Sequence, residues 1–555
     1  MNTFAFRFRQ SRSCRWRFVS RKVCGVAHAV KSRWFDSENR VAGYALTNSL
    51  GRGVTATLAY DGSRMSGMTF VLPNGGTFST ALTRNAARPD LVTRRAYSAN
   101  GSSIYSYDTT FDLLGRPVNA TDSQSLVRSY LYNRRNELAA ATIGTNAYEY
   151  AYDTIGNRTV ASANSVTNTY AANNLNQYTQ VDASQLTYDA DGNLTQDDRF
   201  AYTYDAENRL VTVRPILPTE GALAVVNAYD HDNRRILKRL ERFVDDAWTL
   251  VETHSFVYDG NNIVLERIAD VDGSENVVEY FWGNDLSNTE EGAGGVGGLL
   301  AVSIDGLFYF PCYDQNGNAV AYVSESGDIT AQYVYNPYGS VIEQYGNLAD
   351  ALGFRFSTRY TDCEIGLVSY KRRFYRPDHG RWLNRDPIEE DGGENLYGFC
   401  ANNTIFFYDK NGNAYFAVRG LGKVLPPMKW SSLFVCPFMK MAADLAADAL
   451  NVELVHEQLF YEDGSNVGWG DDVDGLGVGR KLTGESEKGY VRRDGGYNDC
   501  VMHKAEKEVK VDHYQLTWLG TQTKCNCQDY ADMLRAKYRE LINDPQVRCE
   551  CGIVK

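Results

Sequence analysis

Leu186-Thr187-Tyr188-Asp189-Ala190-Asp191-Gly192-Asn193-Leu194-Thr195 decides the fold. Aromatic and apolar residues flank an Asp-Gly-Asn turn, and Asp-Gly supplies the positive φ that a tight hairpin demands. The stretch therefore reads as strand, turn, strand. The same arrangement recurs at Tyr152-Asp153 before Gly156-Asn157-Arg158, Tyr204-Asp205 before Asn208-Arg209-Leu210, Tyr229-Asp230 before Asn233-Arg234-Arg235, and Tyr313-Asp314 before Gly317-Asn318. Degenerate copies are read at Tyr107-Asp108, Tyr132-Asn133, Tyr170, Tyr258-Asp259 and Tyr335-Asn336. From Tyr132 to Tyr204 the tyrosines stand 20, 18, 18 and 16 residues apart. A period near 20 marks one small supersecondary unit copied many times. Chance recurrence of a dipeptide would not keep the turn at a nearly fixed distance behind it. Tyrosine suits this place because its ring can be buried while its hydroxyl reaches a polar partner. Tyr-Asp is thus read as scaffold, not as a catalytic pair.

Composition agrees with a large all-β assembly: 37 tyrosines and 48 glycines stand against 13 prolines. The 555 residues carry a formal charge of −12, which argues against general attraction to nucleic acid or a membrane surface. No stretch reaches the roughly 18 apolar residues of a membrane span. Residues 1–40 are read as a basic segment, disordered or remnant, whose start codon lies inside a longer ancestral frame. The arginines of residues 1–35 (Arg7, Arg9, Arg12, Arg15, Arg17, Arg21, Arg33) surround no continuous apolar run, so the segment is not read as a convincing Sec signal. Residues 41–340 are assigned to the repeat array, 341–413 to a closing segment, and 414–555 to a separate small α+β domain. Five cysteines fall before residue 414 and six after it, in step with that boundary.

The closing segment runs through Phe354-Arg355-Phe356, Glu364-Ile365-Gly366-Leu367, Tyr370-Lys371-Arg372-Arg373-Phe374-Tyr375, Gly380-Arg381-Trp382-Leu383-Asn384-Arg385-Asp386-Pro387 and Asn395-Leu396-Tyr397-Gly398-Phe399 to Asn402-Asn403. It resembles the core-associated segment of RHS/YD-repeat proteins, and the likeness covers roughly residues 100–412. The resemblance implies a mainly β fold: a spiral of YD strands forms a shell, a core segment plugs it, and a variable C-terminal domain, commonly a toxin, is the cargo. Many members cut themselves after Asp-Pro-x-Gly-Leu through core aspartates, and the matching residues here are Arg385, Asp386, Asp409 and Asn413. Two carboxyls close enough to share a proton are the physical requirement. This chain reads Asp409-Lys410-Asn411-Gly412-Asn413, with Lys for Pro and Asn for Leu. Self-cleavage at Asn413–Ala414 is therefore expected to be weak or absent, Asp386 and Asp409 serving instead as turn residues. About 300 residues of repeat are too few to enclose a domain of 142. The chain is thus read as a truncated copy or as part of a shell completed by a partner polypeptide, with exposed edge strands.

In the tail, Met439–Leu450 has helical spacing, and residues 452–461 read as a strand before an Asp-Gly hairpin. Residues 466–500 read as loops, and residues 527–541 as an amphipathic helix. A cysteine opening a helix favours the thiolate, and a histidine beside it completes a nucleophilic pair. His456, Cys527 and the order His…Asn-Cys-Gln-Asp-Tyr resemble circularly permuted papain-like domains. That likeness implies Cys527 as nucleophile and His456 as base, and Asn466 is the nearest candidate to orient the imidazole. The alternative uses Cys500, His503, Cys525, Cys527, Cys549 and Cys551 as zinc ligands or disulfide partners of a non-enzymatic binding domain. The reading is an RHS-type toxin carrier without a cofactor (zinc in the alternative). Its expected setting is secreted or on the cell surface after a cytoplasmic stage, with an immunity protein as a further partner.

Overall fold

The computed structural model describes residues 30–412 continuously, together with strands Arg15–Arg17, Ala417–Val418, Gln458–Phe460, Asn466–Gly470 and Arg480–Thr483, and Lys537. The chain divides into two compact units, Met1–Lys423 and Val424–Lys555. In the first unit the repeats form a 16-stranded sheet followed by a 14-stranded sheet, and in each every strand pairs with its sequence neighbours. The chain is therefore an antiparallel meander throughout the array, as strand–turn–strand units demand.

One turn design repeats along it. Asp153 Oδ1 accepts the amides of Ile155 (3.1 Å) and Asn157 (2.8 Å), while its Oδ2 accepts Asn157 Nδ2 at 2.9 Å. Asp205 does the same with the amides of Glu207 and Arg209 (both 3.0 Å) and with Arg209 Nε at 2.7 Å. The residue three after the aspartate always turns left-handed: Gly156 has φ 89°, Gly192 83°, Asn208 58° and Asn233 60°. Glycine and asparagine tolerate that conformation best, which is why the motif ends in Gly-Asn or Asn-Arg. The strand register shifts just before each tyrosine, between Ala151 and Tyr152, Thr203 and Tyr204, and Ala228 and Tyr229. Each turn therefore closes on a β-bulge.

The tyrosine then ties each unit to the one before it. Its hydroxyl donates to the carbonyl that follows the preceding turn: Tyr132 to Pro117 (2.7 Å), Tyr152 to Leu138 (2.8 Å), Tyr229 to Leu210 (2.7 Å) and Tyr258 to Arg235 (2.9 Å). Where the turn ends in arginine, the guanidinium lies over the next tyrosine ring, as with Arg116 on Tyr132 (4.5 Å) and Arg209 on Tyr229 (5.2 Å).

Three readings of the repeat array need correction. Tyr107-Asp108 is not a turn copy, because both residues lie mid-strand and the turn position belongs to Phe111-Asp112. Tyr170 likewise lies mid-strand, and Ala172-Asn173 opens the turn. The bulge requires the capping Asp or Asn and the left-handed residue, and the preceding position accepts Phe or Ala. For the same reason the array begins before residue 41: Val30–Phe35 pairs with Val41–Thr47 around the capped turn Asp36–Arg40.

The core lies between the two sheets. Phe310 packs 4.9 Å from both Phe70 and Phe78, and Tyr313 N donates to Tyr97 Oη at 2.7 Å. A second cluster gathers Tyr178, Phe200, Leu210 and Val225 around Leu367, Phe374 and Leu383 of the core segment. In the second unit, Gln458–Phe460, Asn466–Gly470 and Arg480–Thr483 make a three-stranded antiparallel sheet. The expected hairpin is present, but the last two strands occupy a stretch read as loops, since Gly-rich strands carry little alternation. No described helix is long and apolar enough to cross a membrane.

Candidate functional site at the end of the core segment

Four short strands, Tyr360–Asp362, Leu367–Ser369, Phe374–Arg376 and Arg381–Trp382, form the small sheet of the core segment. The chain reverses between Tyr370 and Arg373, whose carbonyl accepts the Tyr370 amide at 3.0 Å. This reversal turns Arg373 inward, where its side chain is wholly buried. Each of its guanidinium nitrogens has a partner: Nη2 donates to Asp386 Oδ2 at 2.8 Å, Nη1 to the Leu396 carbonyl at 3.1 Å, and Nε to the Gly412 carbonyl. Its face covers the Trp382 ring at 4.2 Å. A buried cation is tolerable only when its donors are satisfied in this way.

Asp386 also caps its own turn, with Oδ1 accepting the Ile388 amide at 3.0 Å. Asp409 opens the last described turn, where Oδ1 accepts the amides of Asn411 (2.9 Å) and Gly412 (2.6 Å). Burial pushes the Asp409 carboxyl up to about 7, although Arg373, the two amides and Arg359 all pull the other way. Arg359 donates from Nη1 to the Gly294 carbonyl at 2.7 Å and from Nη2 to the Lys410 carbonyl. A glycine-rich loop, residues 292–298, is thus pinned against the same turn. Gly412 has φ 80°, and an added Cβ would sit 3.1 Å from Tyr370 Cβ.

Arg373 thus pairs directly with Asp386, while Asp409 lies within its electrostatic reach and keeps a carboxyl whose pKa burial raises. Arg385 plays a different part: it lies across the Gly192 turn, close to Tyr397. Arg373 holds the place expected of Arg385, and Arg359 joins it. The core-segment motifs assign neither arginine a role. Their signal was an arginine set among residues that otherwise read as core. Asn413, His456, Cys500, His503, Cys525, Cys527, Cys549 and Cys551 lie outside the described residues. Asn466 opens the second strand of the tail hairpin, paired with Phe460, and its side chain also lies outside them. Among the described residues no group of His, Cys, Asp and Glu is arranged to hold a metal.

The Teneurin YD-shell family model matches residues 72–244 and 294–413, more than half of the chain. The chain belongs to the YD-shell family. It is an RHS/YD-repeat protein, as the core-segment motifs implied. Similar proteins include the tRNA3(Ser)-specific nuclease WapA of Bacillus spizizenii, 29% identical over 304 residues, which is 52% of this chain and 12% of WapA. The double-stranded DNA deaminase toxin A of Burkholderia cenocepacia is 27% identical over 318 residues, 54% of this chain and 21% of the toxin. Toxin subunit YenC1 of Yersinia entomophaga is 27% identical over 346 residues, 56% of this chain and 33% of that subunit. The YD-shell chain thus spans a third or less of each of these relatives. The crystal structure of TcdB2-TccC3 without its hypervariable C-terminal region shares the fold, with TM-score 0.57 and 18% identity over 70% of this chain and 20% of that one.

Proposed function

We propose that this YD-shell protein is an RHS-type toxin carrier whose sheet and core segment hold the root of a C-terminal effector, residues 414–555. The observation that carries this is the grip on residues 409–412: the buried Arg373 and the half-buried Arg359 bind the carbonyls of Gly412 and Lys410 immediately before the tail. The relatives support it, because a tRNA nuclease and a double-stranded DNA deaminase each resemble about half of this chain while their named activities differ. Such a division suits a common container with exchangeable cargo.

The effector we propose is a papain-like cysteine enzyme, with Cys527 as nucleophile, His456 as general base and Asn466 orienting the imidazole. Peptide or amide hydrolysis, deamidation and acyl transfer all suit that chemistry. An immunity protein and a polypeptide completing the shell are the proposed partners, and the setting is secreted or cell-surface. The junction stays largely uncut, since Asp386 and Asp409 are each employed by their own turns.

Expression of the full chain beside its Cys527→Ala variant in bacterial cells tests the enzyme. Toxicity lost with that single change supports it. Equal toxicity in both removes Cys527 from the mechanism. Thiol titration with a zinc assay on the same protein separates a free nucleophile from the zinc- or disulfide-stabilised binding domain.

A further inference from the structure

A buried set of ionisable groups joins the second sheet to the core segment. His254 lies in strand Ala247–Asp259 with 7% of its side chain exposed. Both ring nitrogens face carboxylates: Nδ1 lies 2.6 Å from Glu266 Oε1, and Nε2 meets Glu252 Oε1. Glu266, in the neighbouring strand Asn262–Asp270, is equally buried and accepts two tyrosine hydroxyls. Tyr280 donates from strand Glu275–Trp282 at 2.5 Å, and Tyr360 donates at 2.5 Å from the first strand of the core segment. On the other flank, strand Arg235–Val244 places Lys238 directly across from His254. Lys238 Nζ lies 3.4 Å from Asp362 and 2.9 Å from Glu364, while Arg235 Nη1 meets Asp362 Oδ2 at 2.6 Å. The groups facing His254 are thus Glu252 on its own strand, Glu266 and Lys238 on the two adjoining strands, and Tyr360 and Asp362 on the core segment.

The hydrogen-bond arithmetic singles out the histidine. A protonated imidazole has two N–H donors, one for each carboxylate, whereas a neutral ring has only one. Losing the proton leaves a carboxylate facing a lone pair inside the protein, which is costly in a dry site. The affected carboxylate is either Glu252 or Glu266, and Glu266 is the one that holds Tyr360.

We infer that His254, with Glu252 and Glu266, is a proton-operated latch through which the sheet holds the first strand of the core segment. Burial by itself would depress the imidazole's pKa, but its hydrogen bonds to Glu252 and Glu266 outweigh that and hold it above its ordinary value. The sign follows. A raised pKa in the fold makes the latch complete below about pH 6.5 and progressively lost as pH rises through the folded value. The carboxylates of Glu252 and Glu266 are held below their usual range, so the latch survives mild acid.

Hydrogen exchange on the full chain from pH 5.5 to 8.5, corrected for the intrinsic pH dependence of exchange, tests it. Peptides covering residues 353–369 should lose protection as pH rises, while peptides covering 138–152 should not. The expected loss is about tenfold for each tenfold gain in proton affinity that the fold gives His254. In His254→Gln the dependence at 353–369 should vanish, which separates it from the titration of Asp409. A flat wild-type profile, or the same slope in His254→Gln, overturns the inference. Should His254→Gln fail to fold, Glu252→Gln, at a partly exposed position, decides: removing one carboxylate must move the transition to lower pH, and an unmoved transition overturns the latch.

Discussion

Asp409→Asn should make the shell more stable at alkaline pH while leaving its stability at acid pH nearly unchanged. The asparagine side chain has the same shape, and its oxygen can still accept the amides of Asn411 and Gly412. What it removes is a titration. Burial raises the Asp409 carboxyl from its ordinary 3.8 to about 7. An acid whose proton is held more tightly in the folded state contributes stability that is complete below the ordinary pKa and lost as pH rises to the folded one. Across that interval of roughly three pH units, at about 1.4 kcal/mol each, the wild type forfeits on the order of 4 kcal/mol. Asp409 is fully buried, so solvent screening takes little from this figure. Guanidinium titrations of the full chain at pH 4, 6 and 8, followed by near-ultraviolet circular dichroism, would measure it. The informative quantity is the difference between variant and wild type as a function of pH, because His254 titrates equally in both. That difference should be near zero at pH 4 and should favour the variant by several kcal/mol at pH 8. A difference independent of pH would show that Asp409 is already ionised in the fold, and the account of a carboxyl raised by burial at the junction would fall.

Other changes have simpler expectations. Arg373→Met removes the cation paired with the buried Asp386 and should cost about 3–5 kcal/mol in the same titrations. Gly294→Ala requires a left-handed alanine (φ 66°) and drives its methyl into the Lys410 carbonyl, so it should cost at least about 1–3 kcal/mol and raise proteolytic nicking near residue 412. Tyr132→Phe deletes the bond to the Pro117 carbonyl and should cost about 1 kcal/mol, whereas Tyr345→Phe, at an exposed site, should be silent. Intact-mass measurement of freshly purified protein should give a single species of 62.2 kDa; two stable fragments split near residue 413 would refute the uncut junction.

The repeat was legible because its chemistry is local. A cap, a left-handed residue and an apolar flank all fall within about six residues of one another, so the sequence displays the whole device. Where the reading slipped, at Tyr107 and Tyr170, it followed the aromatic residue when the determining pair was Asp or Asn with a left-handed Gly or Asn. The boundary at residue 41 slipped for the same reason, since Phe35-Asp36 carries the cap without the tyrosine. The junction was half legible. Asp386 and Asp409 are named by motif position, but the partner of Asp386 is not, because nothing in Tyr370-Lys371-Arg372-Arg373 says which arginine turns inward. The buried ion pairs are harder still. Arg376 pairs with Asp197 and Arg235 with Asp362, partners so far apart in sequence that no spacing rule connects them.

Those distant pairs bear on how the shell holds together. A meander in which each tyrosine bonds only to the preceding unit is a one-dimensional stack, and such stacks fray from their ends because each unit answers only to its neighbours. Among the described residues, the outermost strands, Arg15–Arg17 and Val341–Tyr345, each pair on one side only. The core segment supplies what the stack lacks. Leu383 accepts the Leu194 amide at 2.9 Å, close to where the first sheet gives way to the second. Asn402 donates to Glu137 (3.1 Å) and to the Gly156 carbonyl (2.8 Å), and Tyr397 donates to the Gly192 carbonyl at 2.7 Å. Three consecutive or nearly consecutive turns are thus stapled to one short stretch of chain. Loss of a tyrosine inside the array should therefore be felt locally, while loss of a staple should lower the cooperativity of the whole unit. Asn402→Ala against Tyr132→Phe is the comparison that separates the two. At equal destabilisation, the first should broaden the denaturation transition and the second should only move its midpoint. Equal broadening in both would mean that the sheets alone make the shell cooperative.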